Sequence, residues 1–428
     1  MTKKEYRLGV VGIGGYAEMY LMAARYLAEQ GLGQLVAAVV RSPDKYREKM
    51  AELAKQGVRF YPDLETMLKS EHLHIVGVPT GISSHVPFSI AAMEAGCDVV
   101  CEKPLCATVQ EAYTLIDTRN RLGRKVAIGY QGMYSPIAHE LKRRLVAGEL
   151  GALQRIRCKI SAPRHDGYYA RNDWAGRQKD KDGRWILDSP ANNANAHQLQ
   201  QMLFLAGPTL LESAQPARVY AELYRGRPDI DNFDTCVIHV LTTGGAELLY
   251  IVSHCVAEAW GPETEIQCER GTVTTGGAGG GGAKGATIVR TADGREEEIR
   301  IDPGVPNLVC RAFINLIGAI EGQERLLCTP DNTWQQTLVI NAAHESSGGP
   351  TPIPPHFTGT GDVQYGSRRL PGRFIRGGEE AIARAYEEWK PFSELGLPWA
   401  RPARWVDTTR YEYFPGGKAP QGAPKGHA

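Results

Sequence analysis

The feature that most constrains the fold is a glycine turn near the start of the chain. Residues 7–13, RLGVVGI, are an apolar run of strand length, and residues 14–31 carry helical periodicity. The junction has the pattern GxGxxA and consists of Gly12, Ile13, Gly14, Gly15, Tyr16 and Ala17. The first glycine permits a tight turn, the second lets a phosphate approach the backbone, and the small last residue lets helix and strand pack closely. The sequence therefore predicts a dinucleotide-binding α/β domain.

Alternating strand and helix patterns continue to about residue 130. Apolar runs occur at 34–40, 74–80, 97–104 and 125–131. One intervening helix is expected to start near Ser83, with serines at its N-cap, and another is expected to start from Thr108. This alternation is typical of a Rossmann domain, whose parallel strands end at one edge beside the ligand. We expect the cofactor to lie beside the strand-end residues Thr80, Glu102 and Lys103.

The end of the second strand bears on cofactor choice. A site for NAD usually has an acidic residue there, to bind the ribose 2′-hydroxyl. This chain has Val40 followed by Arg41 and Ser42. An arginine and a hydroxyl can hold a 2′-phosphate, so the pattern favours NADP within a general expectation of NAD(P). The alternative interpretation is a solvated basic turn.

From about residue 150 the pattern changes to short, mostly alternating runs typical of an antiparallel sheet. Two helices are expected at 307–320 and 331–346, and 276–285 is interpreted as a flexible hairpin tip. We predict domains at 1–130 and 131–350, followed by a Pro/Gly-rich extension at 351–428. The extension is expected to contain one helix near Glu379–Trp389 and a disordered tail.

Composition excludes several classes of partner. The 428 residues carry a net charge of +1, which gives no reason to expect nucleic acid or an anionic membrane as a partner. No leader and no apolar run near membrane-spanning length is present, so a cytoplasmic location is expected. The nine cysteines include no CxxC pair, and Cys97, Cys101 and Cys106 are interpreted as buried thiols. No metal site is predicted.

Residues 188–207, DSPANNANAHQLQQMLFLAG, form a second informative segment. Pro190 suits a helix start and Gly207 a helix end. An apolar stripe comprises Leu199, Met202, Leu203 and Ala206. At helical spacing, the opposite face carries Asn193, His197, Gln200 and Gln201. That polar face is either exposed to water or forms the wall of a cleft.

At Glu102-Lys103-Pro104 the chain begins to resemble the Gfo/Idh/MocA oxidoreductase family. The other matches, in order, are the glycine turn, His85 at the start of the helix after the fourth strand, residues 141–157, and His197 with Leu205 and Gly207 behind it. The resemblance implies an N-terminal Rossmann dinucleotide-binding domain and a C-terminal α+β domain with an open, mainly antiparallel sheet. It also implies a nicotinamide cofactor, sugar or polyol substrates, and a homo-oligomer (dimer or tetramer) formed through the sheet.

Carried over to this sequence, the resemblance makes Lys103 the catalytic lysine and His197 the catalytic histidine. The family commonly has aspartates four residues before and three residues after that histidine, where this chain has Asn193 and Gln200. Asn193 can orient a hydroxyl but cannot take a proton. Gln200 cannot stabilise an imidazolium as a carboxylate would. We expect His197 to act as general base or acid and Lys103 to polarise the substrate oxygen, while His85 joins the residues around the cofactor.

Residues 164–185 precede this segment and are expected to cover the substrate. Tyr168 and Trp174 suit stacking on a sugar, and Arg164 and Arg171 suit hydroxyl or acid groups. The excess of basic residues favours an anionic sugar, and the alternative is a charged surface loop. His239 and His254 are interpreted as structural histidines of the sheet, and His344 as a residue near the pocket without an assigned role.

Three functions follow from these residues. The first is net NAD(P)-dependent oxidation or reduction of a sugar, sugar derivative or cyclic polyol. The second is NAD-dependent cleavage of a glycoside by transient oxidation, elimination, water addition and re-reduction. The third is a non-catalytic cofactor-binding regulator, against which Lys103 and His197 argue.

Overall fold

The structure is a computed structural model that describes residues 5–276 and 287–418. Its N-terminal part is a parallel sheet of six strands in the order β3-β2-β1-β4-β5-β6. The strands are β1 Tyr6–Val11, β2 Gly33–Val39, β3 Arg59–Tyr61, β4 Ile75–Val78, β5 Asp98–Cys101 and β6 Val126–Ile128. The order reverses between β1 and β4, and a crevice forms at the carboxyl ends of strands at such a switch point. The predicted Rossmann sheet is confirmed.

Helices connect these strands. They are α1 Ala17–Glu29, α2 Arg47–Lys55, α3 Leu64–Ser70, α4 Ile82–Glu94, α5 Val109–Leu122 and α6 Pro136–Val146. Thr108 and Glu111 form a capping box at the start of α5, as the sequence predicts for a helix from Thr108. The serine N-cap predicted for α4 is wrong. The chain stays extended only as far as Gly81, which occupies the cap, so Ser83 lies inside the first turn.

The C-terminal part is built on a sheet of ten strands. Its main path runs β14-β13-β12-β11-β7-β10-β9-β8-β15, and β18 also pairs with β8. The strands are β7 Leu153–Ser161, β8 Pro216–Arg225, β9 Thr235–Thr242, β10 Glu247–Ser253, β11 Trp260–Cys268, β12 Gly271–Gly276, β13 Thr287–Thr291, β14 Glu296–Ile299, β15 Thr351–Pro352 and β18 Val406–Asp407. Only the β7–β10 and β8–β15 pairs are parallel. The predicted open, mainly antiparallel sheet is confirmed.

The described residues before 350 contain four further helices: α7 Asp166–Tyr169, α8 Ala196–Leu205, α9 Leu308–Ile320 and α10 Trp334–Ser347. The helix α9 packs against α1, where the ring of Phe313 meets Tyr20 edge-on at 5.4 Å. Apolar residues of both sheets belong to one continuous core. This packing sets the position of α8 relative to the glycine turn.

The residues after 350 contain more structure than the sequence predicts. A helix, α11 Gly378–Glu388, lies where one is expected, and an unexpected hairpin joins β16 Thr358–Tyr365 to β17 Arg368–Ile375. The hairpin escaped prediction because its strands contain Gly and Pro, which are depleted in strands. Apart from Gly276, which ends β12, the hairpin tip predicted at 276–285 lies outside the described residues, as do residues 419–428 of the predicted disordered tail. The domain boundaries stay a prediction.

The helix α11 and the residues that follow it cover the outer face of the large sheet. The ring of Tyr386 lies 4.3 Å from the guanidinium of Arg157 on β7. Phe392 and Trp399 are buried against Tyr224 on β8. These residues form a second apolar core, distinct from the one between the two sheets.

No helix in the described parts of the chain is long and apolar enough to cross a membrane. All nine cysteines are buried and free of disulfides. Within the same residues, no group of His, Cys, Asp and Glu side chains has an arrangement that could hold a metal ion.

Candidate active site

A cavity of about 840 Å³ opens at the switch point of the parallel sheet. It runs from the glycine turn past the ends of β2, β4 and β5 to the segments 171–174 and 193. Most of the predicted site residues line it: Gly12, Ile13, Gly14, Gly15, Tyr16, Arg41, Ser42, Thr80, Glu102, Lys103, Arg171, Trp174 and Asn193. The predicted residues Ala17, His85, Arg164, Tyr168 and His197 are not among its lining residues.

The glycine turn has the geometry of an anion cradle. Gly12 and Gly15 have φ values of +103° and +61°, which other residues rarely adopt. No side chain of the described residues caps the start of α1, and its first N–H groups donate only to backbone oxygens of the turn itself, so the positive dipole end of the helix faces the cavity beside Gly14 and Gly15. Ala17 is buried beneath the turn, where its small side chain allows close packing. The turn therefore fits a dinucleotide pyrophosphate.

The end of β2 carries cations and no acid. Val40 is buried, whereas Arg41 and Ser42 are exposed at the cavity, and Lys45 lines it beside them. Tyr46 lies against Gly14. A Cβ at position 14 would overlap the Tyr46 hydroxyl, so this close contact requires glycine. Arg41 and Ser42 thus lie at the cavity as predicted, and Asp63 and Glu65 line it as well.

His85 supports the strand ends from behind. Its Nδ1 lies 2.7 Å from the carbonyl oxygen of Pro104, and its Nε2 lies 3.1 Å from that of Thr80. Burial lowers the pKa of His85 to about 4, against the raising effect of the two carbonyl contacts. The ring thus links the ends of β4 and β5 without facing the cavity.

Glu102 is a buried carboxylate next to the lysine. It accepts hydrogen bonds from the Tyr20 hydroxyl at 3.2 Å and from the Lys103 backbone N–H at 3.1 Å. Burial raises the pKa of Glu102 to about 7, against the opposing effect of the Lys103 charge. Gly129 leaves the space for it, since a Cβ there would lie 2.6 Å from Oε1.

Lys103 reaches from the Rossmann domain to the segment that starts at Asp188. Its Nζ donates to the backbone oxygen of Asn193 at 2.8 Å and to Asn193 Oδ1 at 3.1 Å. Burial lowers the pKa of Lys103, and the charges of Glu102 and Asp188 oppose that shift. The structure thus brings two predicted catalytic residues from the two domains together.

The segment around His197 is not one regular helix. Residues Pro190–Ala194 form a π-helical turn, Asn195 interrupts it, and α8 begins at Ala196. Burial and the charge of Lys103 together lower the pKa of His197 to about 3, so the imidazole is neutral. Its Nδ1 is buried with no hydrogen-bond partner among the described residues. The ring meets Tyr130 edge-on at 6.0 Å.

Gln200 packs into the core and does not line the cavity, which corrects the expectation that it acts at the site beside His197. It is fully buried, and its amide donates to the Asn332 carbonyl oxygen at 2.7 Å and to Ser213 Oγ at 3.1 Å. The helix α8 contacts α6, α10 and β10, so the face opposite its apolar stripe also packs against protein. Of the two amides that depart from the family pattern, only Asn193 lies at the site.

The segment 164–185 folds over the mouth of the cavity. The guanidinium of Arg171 lies 3.6 Å from the ring centre of Tyr168 and 5.2 Å from that of Trp174. Arg164 stacks on Tyr168 at 5.0 Å. Arg164 donates to the backbone oxygens of Ala162 and Pro163, and Arg171 donates to that of Tyr168. Two cationic groups held by backbone oxygens thus flank one aromatic ring.

Sequence reasoning assigned no role at the site to Asp188, and it interpreted His254 as a structural histidine and His344 as a residue near the pocket. Asp188 is buried and binds Asn193, although its position carries no motif that would have indicated this. His254 lies between the Tyr169 hydroxyl at 3.3 Å and Asn195 Oδ1 at 3.2 Å, behind the substrate segment. His344, in contrast, is buried between aromatic rings and does not line the cavity.

Comparison with known families decides the classification. The model described as oxidoreductase family, NAD-binding Rossmann fold, matches residues 6–130, and that of the GFO/IDH/MocA C-terminal domain matches residues 138–274. Together they span more than half of the 428 residues. The chain belongs to the Gfo/Idh/MocA family.

Curated members of the family share part of the sequence. Inositol 2-dehydrogenase 4 of Saccharopolyspora erythraea is 30% identical over 38% of this chain and 48% of its own length. D-glucoside 3-dehydrogenase of Escherichia coli is 29% identical over 36% of this chain and 42% of its own. The chain therefore spans about half the length of the curated relatives it matches.

Solved structures of the family share the fold. The WlbA dehydrogenase from Bordetella pertussis, in complex with NADH and UDP-GlcNAcA, has a TM-score of 0.68 at 20% identity, over 81% of this chain and 97% of that one. The aldose-aldose oxidoreductase from Caulobacter crescentus has a TM-score of 0.66 at 19% identity, over 81% and 98%.

Proposed function

We propose that this chain is an NAD(P)-dependent oxidoreductase that moves a hydride between the nicotinamide and a secondary hydroxyl or keto group of a sugar, sugar derivative or cyclic polyol. One observation carries the proposal. The Lys103 ammonium, held on Asn193, lines the same cavity as the glycine turn. A cationic donor at the end of a dinucleotide cleft is the group that a developing alkoxide needs.

The residues divide the work as follows. A bound nicotinamide would supply the hydride chemistry. In the oxidation direction, Lys103 donates a hydrogen bond to the hydroxyl oxygen and stabilises its growing negative charge. The neutral imidazole of His197 accepts the hydroxyl proton, and the alcohol becomes a ketone. Burial and the charge of Lys103 lower the pKa of His197, so the imidazole is neutral at neutral pH and able to accept that proton.

The curated relatives named as inositol and glucoside dehydrogenases support a polyol or sugar substrate. The test is a panel of sugars, inositols and glycosides incubated with NAD and with NADP, in which reduced cofactor and organic product are measured together. Reduced cofactor that appears in equal amount with a keto product supports the proposal. Bound cofactor with no turnover on any member, in either direction, would point to the non-catalytic regulator.

Glycoside cleavage is the alternative that the same panel separates. It predicts release of the aglycone without net reduction of the cofactor and with uptake of solvent deuterium. The amide departures from the family pattern motivated this alternative, and Gln200 lies in the core rather than at the site. Asn193 and the long segment 164–185 keep it as the second candidate.

The preference for NADP rests on Arg41 and Ser42 at the cavity. We expect Arg41→Ala to raise the KM for NADP about 10-fold, because a charge-assisted contact to the 2′-phosphate contributes on the order of 1.5–3 kcal/mol. The KM for NAD should change little. Arg47→Ala, an exposed arginine paired with Asp44, is the matched control. Equal effects on both cofactors would contradict a 2′-phosphate contact.

An anionic substrate is the second refinement. Arg171 and Lys103 line the cavity, and Arg164 stacks with Arg171 on the Tyr168 ring next to it. We expect Arg171→Gln to raise the KM for a uronate about 10-fold relative to the matching neutral sugar, because the variant loses a charge-assisted contact to the carboxylate. Arg177→Gln in the same segment is the control, since Arg177 faces Asp231. An unchanged ratio of the two KM values would exclude Arg171 as the anion contact.

Only part of the outer face of the large sheet is open for the predicted homo-oligomer, because α11 covers the rest. The outer face of β7 to β10 is covered by α11, whereas one outward row across β11–β14 holds Glu265, Thr274, Ile288 and Glu298. A dimer or tetramer formed through the sheet would therefore use this mainly polar half, and light scattering of the purified chain tests it. A cytoplasmic location, which fits nine unpaired thiols, belongs to the same proposal.

A further inference from the structure

Asp188 is a buried carboxylate with a fixed orientation. Its side chain is 3% exposed in relative terms, and both oxygens are engaged. Oδ1 accepts a hydrogen bond from Asn193 Nδ2 at 2.7 Å, and Oδ2 accepts one from the backbone N–H of Gly176 at 2.6 Å. It is not the N-cap of the following turn, because Ser189 accepts from Asn192 in that role.

The carboxylate determines which way the Asn193 amide points. Carboxylate oxygens only accept, so the amide must turn its NH₂ group toward Asp188. Its Oδ1 then faces the Lys103 ammonium, which also binds the Asn193 backbone oxygen. The reverse orientation would place two donors against each other. The chain of contacts therefore runs from Asp188 through Asn193 to Lys103.

The same carboxylate bears on the charge of Lys103. The charged and titratable groups that act on Lys103, or on which it acts, come from several elements: Glu102, His85, Arg171, Asp188 and His197. Glu102 and Asp188 raise the pKa of Lys103, whereas burial and Arg171 lower it. Asp188 also acts on Tyr168, whose pKa is raised mainly by burial and to a smaller extent by the Asp188 charge. Removing the Asp188 charge leaves Glu102 as the remaining carboxylate beside Lys103.

We propose that Asp188 is a positioning residue of the hydride-transfer site, which orients Asn193 so that the Lys103 ammonium is aimed into the cavity. Its second hydrogen bond, to Gly176, ties this arrangement to the segment over the substrate. In this chain Asp188 therefore acts on the catalytic lysine indirectly, through the Asn193 amide that lies between them. The kinetic part of this inference rests on the proposed function.

The test is Asp188→Asn, which keeps the shape and removes the charge. The new amide would turn its own NH₂ group toward either Asn193 Nδ2 or the Gly176 N–H, both of which are donors. The Asn193 amide would then lose its fixed orientation. We expect kcat to fall about 10- to 100-fold, as for a misplaced catalytic group, with little change in cofactor affinity. Because Lys103 loses a neighbouring anion, the alkaline limb of the pH profile of kcat should move to lower pH. Asp188→Glu, which retains the charge, should restore the position of the limb.

Asp234→Asn is the matched control. Asp234 is equally buried and accepts backbone N–H groups from Gly226 and Arg227, but it has no contact with Asn193 or Lys103. It should lower the unfolding midpoint and leave the alkaline limb in place. A limb that does not move in Asp188→Asn, or that moves equally in Asp234→Asn, would overturn the positioning role.

A second readout does not depend on turnover. The rate of Lys103 acylation by a small amine-reactive reagent, followed by peptide mass spectrometry across pH, reports the deprotonation of Lys103. Its midpoint should move to lower pH in Asp188→Asn and stay in place in Asp234→Asn. If no substrate is turned over by the unmodified chain, the proposed function fails, while this measurement still confirms or refutes the link between Asp188 and Lys103.

Discussion

Replacing Lys103 with methionine is expected to lower kcat by about 10²- to 10³-fold while the cofactor still binds, because the variant loses the charged donor that stabilises the alkoxide. Methionine keeps much of the side-chain volume but leaves Asn193 without the donor at 2.8 Å and 3.1 Å. Glu102 also loses the cation that opposes the burial effect on its pKa, so that pKa should rise further. The rate of hydride transfer in a single turnover measures the loss of activity. Cofactor fluorescence measures whether the cofactor still binds.

Lys45→Met is the control for this prediction. Lys45 lines the same cavity at its far end, beside Arg41 and Ser42. It should affect cofactor KM more than kcat. Activity in Lys103→Met within about tenfold of the unmodified chain would exclude Lys103 as the group that stabilises the alkoxide.

Replacing Phe392 with alanine is expected to lower the free energy of unfolding by about 3–5 kcal/mol, the cost of truncating a buried phenylalanine. Phe392 is fully buried, and its ring centre lies 5.9 Å from that of Tyr224 and 5.4 Å from that of Trp399. Such a loss is a large share of the roughly 5–15 kcal/mol that stabilises a typical protein. Urea unfolding followed by tryptophan fluorescence measures it, since the extension carries Trp389, Trp399 and Trp405.

Leu210→Ala provides the comparison, because Leu210 is 51% exposed and its loss should cost less than about 0.5 kcal/mol. A midpoint in Phe392→Ala that matches the Leu210 variant would mean that the extension does not stabilise the sheet. A decrease confined to an early transition would show that α11 and the residues after it unfold separately from the rest.

Sequence reasoning succeeded where the controlling physics is local. The strand, glycine turn and helix at residues 7–31 follow from apolar periodicity and from the φ values that only glycine adopts readily. The capping box at Thr108 is equally local. These short-range rules were sufficient for the Rossmann sheet and for the corner of the cavity that fits a pyrophosphate.

It failed where tertiary packing decides. Periodicity placed Gln200 on the same face as His197, but packing around the whole of α8 makes Gln200 a core residue. The role of Asp188 depends on a π-helical turn that aims Asn193 at a lysine from the other domain, and no sequence period encodes that turn. The hairpin β16–β17 was missed for the related reason that its partner strand, not its composition, stabilises it.

The cover over the large sheet has a further consequence. Tyr386 and Phe392 belong to the same chain as the β7 and β8 residues they contact. Their effective concentration at that face is therefore set by the chain length between them and not by the amount of protein in solution. Dilution, which separates subunits that cover one another, leaves this face protected, so the unfolding midpoint of this core should be the same at high and low protein concentration.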